Sequence, residues 1–207
     1  MRKLKSFIRP NKDILILLLG FMMIAYSIAI FANSILPMAV DGNYSMANMF
    51  TGIYKYLASF VRFDSAHYIN IVANGYDNKY PFLFAFFPLY PIILSAFAYL
   101  PSLLIGKSSS ITLSIILTSP ALLIIGFWLY KKVLLLDLEN SAAAKGLVLL
   151  IAYPFAFFYL AGYTESLFLL LIVATIYMAR KRVWWAAGLL AVLASATRLP
   201  GLLLGLF

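Results

Sequence analysis

Residues 14–40 form a run of 27 residues without one charged side chain. A helix crosses a bilayer with about 20 mostly apolar residues. Further charge-free runs follow at 80–106, 108–130 and 183–197, and 146–179 carries a single charge, Glu165. This spacing predicts an all-α polytopic membrane protein. Composition agrees: 64% of residues are hydrophobic and 11% charged, against about 45–50% and 25% in soluble domains. A soluble globular enzyme is excluded on that basis. Disorder is excluded by the 16% aromatic content, because disordered chains are poor in aromatics. With no cysteine and one histidine, a disulfide scaffold, a thiol nucleophile and a Cys- or His-rich metal site are excluded too. No metal and no cofactor are expected.

The net charge is +9, from 16 Lys and Arg against 7 Asp and Glu. The basic residues come in bursts between apolar runs: Arg2, Lys3, Lys5, Arg9 and Lys12, then Lys131 and Lys132, then Arg180, Lys181 and Arg182. That is the pattern of cytoplasmic helix ends. No polar domain presents a basic face, so nucleic-acid binding is not expected.

The chain divides accordingly. Residues 1–13 read as a basic cytoplasmic N-terminus. Residues 14–40 read as an uncleaved first transmembrane helix, too long for the core of a signal peptide. Residues 41–81 read as a long loop on the outer or lumenal side. Its charges, Asp41, Lys55, Arg62, Asp64, Asp77 and Lys79, sum to zero with His67 neutral. Residues 82–207 read as about five further transmembrane or re-entrant helices. Pro81, Pro88 and Pro91 predict an interrupted lead-in to the second helix. Further helices are expected at 108–130, 146–162, 166–179 and 183–197.

The count of crossings between 13 and 131 is odd. Cytoplasmic basic clusters on both sides need an even one. Either one segment between 80 and 130 is re-entrant, or the Lys131/Lys132 loop faces out. The apolar run 201–207 reaches the last residue and predicts a fragment, or half of a split protein.

Ionisable residues at membrane depth are costly and mark function. Asp13, Asp137 and Glu139 read as solvated helix ends, and Asp41 and Asp77 as turn formers. Asp64 stands out. On a helix, Asp64, His67, Tyr68 and Ile71 share a face, and Arg62 is near. The bland alternative is that Asp64 caps a short helix ending at Gly75. Glu165 is the second candidate, the alternative being a helix start with Thr164 as cap and Glu165 favoured by the dipole. Arg198 is the third. It is either a snorkelling interfacial arginine or a bidentate phosphate ligand.

Three stretches of the loop, Arg62-Phe63-Asp64-Ser65, Ile71-Val72-Ala73-Asn74-Gly75-Tyr76 and Ala85-Phe86-Phe87-Pro88-Leu89-Tyr90-Pro91, resemble the first outer loop of the PIG-V family. Its members are the second mannosyltransferases of GPI-anchor assembly and their prokaryotic relatives. In the same order, Tyr153-Pro154-Phe155-Ala156-Phe157-Phe158, Gly162-Tyr163-Thr164-Glu165-Ser166-Leu167-Phe168 and Ala194-Ser195-Ala196-Thr197-Arg198 match that family. Two departures stand out: Phe63 replaces the usual Trp, and Leu199 splits the usual Arg-Pro pair. The chain corresponds to roughly the N-terminal half of a typical member.

The resemblance implies a GT-C-like bundle of about six transmembrane helices with a long first outer loop. It implies a polyprenyl (dolichyl) phosphate mannose donor and a glycolipid acceptor, and places the catalytic carboxylate at Asp64. The membrane would be that of the endoplasmic reticulum in a eukaryote, or the cell membrane in a prokaryote. Chemistry agrees with one carboxylate: it takes the acceptor proton as general base, and a phosphate leaving group needs no general acid. Arg62, His67 and Arg198 are the positive or donor groups available to that phosphate. Glu165 is expected on sugar hydroxyls, and Tyr68, Tyr76 and Tyr163 complete the expected substrate-binding set. Two other readings remain: a non-catalytic subunit or half of a split enzyme, completed by a second chain, and a membrane transporter with interrupted helices.

Overall fold

Proline and glycine cut the apolar runs into helices of unequal length. The computed structural model describes residues 12–36, 52–77 and 80–206. Most of the basic N-terminus, the 37–40 end of the first run, Asp41 and Lys79 lie outside the described residues. Among those described, seven α-helices form: α1 (Lys12–Ile35), α2 (Asp64–Asn74), α3 (Leu89–Ile105), α4 (Lys107–Leu134), α5 (Asn140–Ala152), α6 (Glu165–Arg180) and α7 (Trp184–Ser195). Four 3-10 segments join them: Gly52–Phe60, Pro81–Ala85, Ala156–Tyr159 and Leu199–Leu206.

Among the described residues, two helices are long and apolar enough to cross a bilayer, Ile14–Ile35 with 22 residues and Lys107–Leu134 with 28. The sequence predicts about six. The shortfall has local causes. Pro81 opens a 3-10 turn and Pro88 is the cap that delays α3 to Leu89. Tyr153 turns extended, with ψ 131°, as a residue before proline does. The helix expected at 146–162 therefore stops at Ala152, and the chain bends through Pro154 toward Tyr163.

The long helix α4 is the centre of the bundle. It carries buried Ser110, Thr112, Ser114, Thr118 and Ser119 beside Ile115, Leu123 and Phe127. Lipid tails are as apolar as leucine, so packing between helices relies on close contact and hydrogen bonds. Ser114 Oγ donates to Leu94 O at 2.8 Å, and the Tyr90 and Ser119 hydroxyls meet at 3.0 Å. These two bonds set α3 antiparallel to the first half of α4. The turn between them is Gly106 alone, with φ 80°, a left-handed conformation that a Cβ disfavours.

Against the second half of α4 lies α6, running parallel. A Cβ on Gly126 would sit 3.5 Å from the Leu170 backbone, the close approach that small residues permit. Further along, Arg180 donates to both Asp137 oxygens, at 2.7 and 2.6 Å. Asp137 is exposed, as a solvated helix end should be. The Arg180 hydrogen bonds hold its carboxyl below the usual range. The pair also puts the 131–139 and 180–182 basic stretches at one end of the bundle. Because α3 begins beside Ser119, midway along α4, it folds back on α4 instead of traversing its whole length.

The last 3-10 segment docks against the end of α7. A Cβ on Gly201 would lie 2.4 Å from Ala194 C and Ser195 N. Backbone atoms cannot swing aside, so Gly201→Ala is expected to destabilise the protein by about 1–3 kcal/mol. A fall in the thermal midpoint in detergent checks this; an unchanged midpoint would mean that the segment detaches freely.

Candidate active site

Three separate stretches converge at the ends of their helices. Asp64 is the first residue of α2, Glu165 the first of α6, and Arg198 follows α7 just before the last 3-10 segment. Each is held by neighbouring backbone. Ser65, fully buried, donates through Oγ to Gly162 O at 2.9 Å, and Gly162 N donates to Phe60 O at 2.7 Å. Ser166 Oγ donates to Tyr159 O. Leu89 N donates to Ala196 O at 3.1 Å, and Arg198 N to Ala194 O at 3.1 Å. The start of α3 thereby ties the Arg198 turn to the rest.

Between these stretches lies a cavity of about 540 Å³. Asp64, Tyr68, Tyr163, Glu165 and Arg198 line it, together with Phe63, Phe87, Phe158 and Thr164. Arg198 Nη1 lies 3.0 Å from Glu165 Oε1, with side-chain exposures of 41% and 24%. Glu165 Oε2 is buried and accepts no hydrogen bond among the described residues. Asp64 is exposed on the cavity side. The two carboxylates therefore differ: one is paired and half-buried, the other open.

The bland alternatives for these carboxylates hold in part: Asp64 lies in the first turn of α2 and Glu165 in that of α6. Asp64 does not cap α2; Phe63 occupies the cap position, with no side-chain cap hydrogen bond. Thr164 sits at the cap of α6 but makes no side-chain cap bond. It instead hydrogen-bonds the Tyr68 side chain, which joins α2 to α6 inside the cavity. Burial, then the Asp64 charge, drives the Tyr68 hydroxyl well above the ordinary tyrosine range.

Tyr163 is pushed up to about 12, first by burial and then by Asp64 and Glu165. Both phenols stay protonated as hydrogen-bond donors. Tyr163 is a group whose folded value exceeds its unfolded value. Its contribution to stability is complete below about pH 10 and is lost as pH rises through about 12. The difference spectrum between wild type and Tyr163→Phe should show no phenolate near pH ~10, where an exposed tyrosine is half ionised. A midpoint there would remove burial as the controlling influence.

Three expected site residues stand outside the lining. Arg62 is half-buried at the turn before α2. His67 packs its ring between Phe82 and Phe86, at centroid distances of 5.2 and 4.8 Å. Tyr76 donates to Phe86 O at 2.8 Å and stacks on Phe84 at 5.7 Å, bracing the loop. Of the lining side chains, Arg198 carries the positive charge. Among the described residues no three His, Asp or Glu side chains gather to hold a metal. Sequence reading did not assign Phe63, Phe87, Phe158 or Thr164 to the site, although each adjoins or lies within a quoted motif.

Among the described residues, fold and site define an all-helical, apolar protein, with two helices of membrane-spanning length and a polar cavity of two carboxylates and an arginine. The chain belongs to the mannosyltransferase (PIG-V) family, which it matches over residues 7–205. It is 34% identical over 153 residues to GPI alpha-1,6-mannosyltransferase 2 of Mus musculus, covering 70% of this chain and 30% of that protein. It is 31% identical over 177 residues to the protein of the same name from Cricetulus griseus, covering 83% and 34%. The chain thus spans about a third of the length of the curated relatives it matches. No solved structure matches it.

Proposed function

We propose that this chain carries the catalytic cavity of a membrane mannosyltransferase. Mannose moves from a polyprenyl (dolichyl) phosphate to a hydroxyl of a glycolipid acceptor. The observation that carries the reading is the convergence of Asp64, Glu165 and Arg198, distant in sequence, on one cavity.

Asp64 takes the proton of the acceptor hydroxyl. The oxygen attacks the anomeric carbon as the carbon–phosphate oxygen bond breaks, and the electron pair leaves with the phosphate. One displacement inverts that carbon. Arg198 offers its free N–H groups to the departing phosphate, where charge develops. Glu165 Oε2, buried and without a donor, accepts from a sugar hydroxyl, and Tyr68 and Tyr163 donate. The bundle of about six transmembrane segments, with the cavity on the outer or lumenal face, is part of the same proposal. Its support is the separation of the cavity from the basic end marked by Arg180 and Asp137.

The test is transfer of radiolabelled mannose from polyprenyl-phosphate mannose to total lipid by membranes carrying this chain. Labelled glycolipid above that of control membranes supports the reading. The partial coverage of the relatives favours one second reading, in which this chain is one part of the enzyme and a second chain completes it. Then label appears only when a copurifying membrane chain is supplied. Tight donor binding without any transfer in either arrangement would overturn both.

A further inference from the structure

Phe63 sits directly before Asp64 with φ 48° and ψ −116°. A non-glycine residue at positive φ is uncommon, and for a bulky side chain it is strained. Such strain persists where the surroundings enforce it, most often at functional sites. Here they do enforce it. Val61 is 1% exposed and Ser65 0%, Ser65 N donates to Arg62 O at 3.1 Å, and Ala66 N to Phe63 O at 3.0 Å. The chain is pinned on both sides of Phe63.

The result is an aromatic side chain 80% exposed that nonetheless lines the cavity beside the carboxylate. Two other phenylalanine rings of the wall are engaged. Phe86 packs on Tyr68 at 5.2 Å, and Phe158 on Tyr163 at 5.4 Å. Among the described residues the Phe63 ring packs against no other aromatic ring. Its faces are open beside the group that handles the acceptor proton.

We propose that Phe63 is a stacking platform for the pyranose ring of the sugar held in the cavity. One face of a pyranose presents C–H bonds, and these lie well on the electron-rich face of an aromatic ring. The strained turn aims the platform. The proposal rests on the donor reading above, because it supposes a sugar between Asp64 and Arg198. An aromatic that merely anchors the chain at a lipid surface makes the opposite prediction about sugar dependence.

The experiment compares binding of two probes, polyprenyl-phosphate mannose and polyprenyl phosphate, to the purified chain in lipid nanodiscs. Wild type should prefer the mannosylated probe. Phe63→Ala should lower that preference roughly five- to tenfold, the range of one aromatic contact, with the bare phosphate bound as before. Phe63→Trp should keep the preference. Phe63→Gly relieves the positive φ, so it should lose the preference with an unchanged or raised thermal midpoint. This separates loss of the platform from loss of fold. A preference unchanged in both Phe63→Ala and Phe63→Gly, or equal loss for both probes, overturns the platform. If wild type binds neither probe, the donor reading fails and the platform with it.

Discussion

Asp64→Asn is expected to lower mannosyl transfer by about 10²–10⁴-fold, the range for removing a positioned general base. The protein should stay folded. Asn keeps the shape, Asp64 is exposed, and it makes no side-chain ion pair or hydrogen bond among the described residues. What the fold loses is a negative charge in the first turn of α2, worth about 0.3–1 kcal/mol at a helix N-terminus. The alternative base, Glu165, is already paired with Arg198 at 3.0 Å, and its other carboxylate oxygen is buried. Glu165→Gln should therefore raise KM more than it lowers kcat. Measuring kcat and KM for both variants with labelled donor decides between them. Full activity in Asp64→Asn would sink the central assignment.

The parts of this site that could be read from sequence are its sparse charges. In chains as apolar as this one, each buried or interfacial charge needs a reason. Asp64, Glu165 and Arg198 were visible on that ground alone. Their pairing was not. Helical periodicity says which residues share a face but not which helix ends meet, and the Arg198–Glu165 contact joins the start of α6 to the residues just after α7. His67 shows the same limit from the other side. It lies three residues after Asp64 on α2, as expected, yet Phe82 and Phe86 supply an aromatic slot that no local pattern announces. Thr164 does stand at the cap of α6, as the bland alternative had it, but its side chain engages the Tyr68 hydroxyl, reached only through tertiary packing. Among the elements, α4 followed from its apolar run, whereas α5 ended early at Pro154 for a reason the sequence did contain.

Arg198→Ala should lower transfer by about 10²–10³-fold, as removal of one preorganised donor at a developing anion does. Arg198→Lys should recover part of it, because an ammonium supplies charge without the planar fork. The turn that presents Arg198 is well held: Thr197 Oγ1 donates to Leu193 O at 3.0 Å, and Gly201 N to Arg198 O at 2.9 Å. Removing the side chain should therefore leave the backbone in place. It also leaves Glu165 without its cation. With Arg198 41% exposed, solvent screens the pair, and the stability loss should stay within about 1 kcal/mol. The two roles of the guanidinium separate in the double variant Arg198→Ala with Glu165→Gln. If Arg198 serves only to neutralise Glu165, removing both charges restores transfer. If it acts on the phosphate, the double variant stays as inactive as Arg198→Ala, and bare polyprenyl phosphate binds both equally weakly. The second outcome is expected, because only one of the cavity's three ionised groups can attract the phosphate.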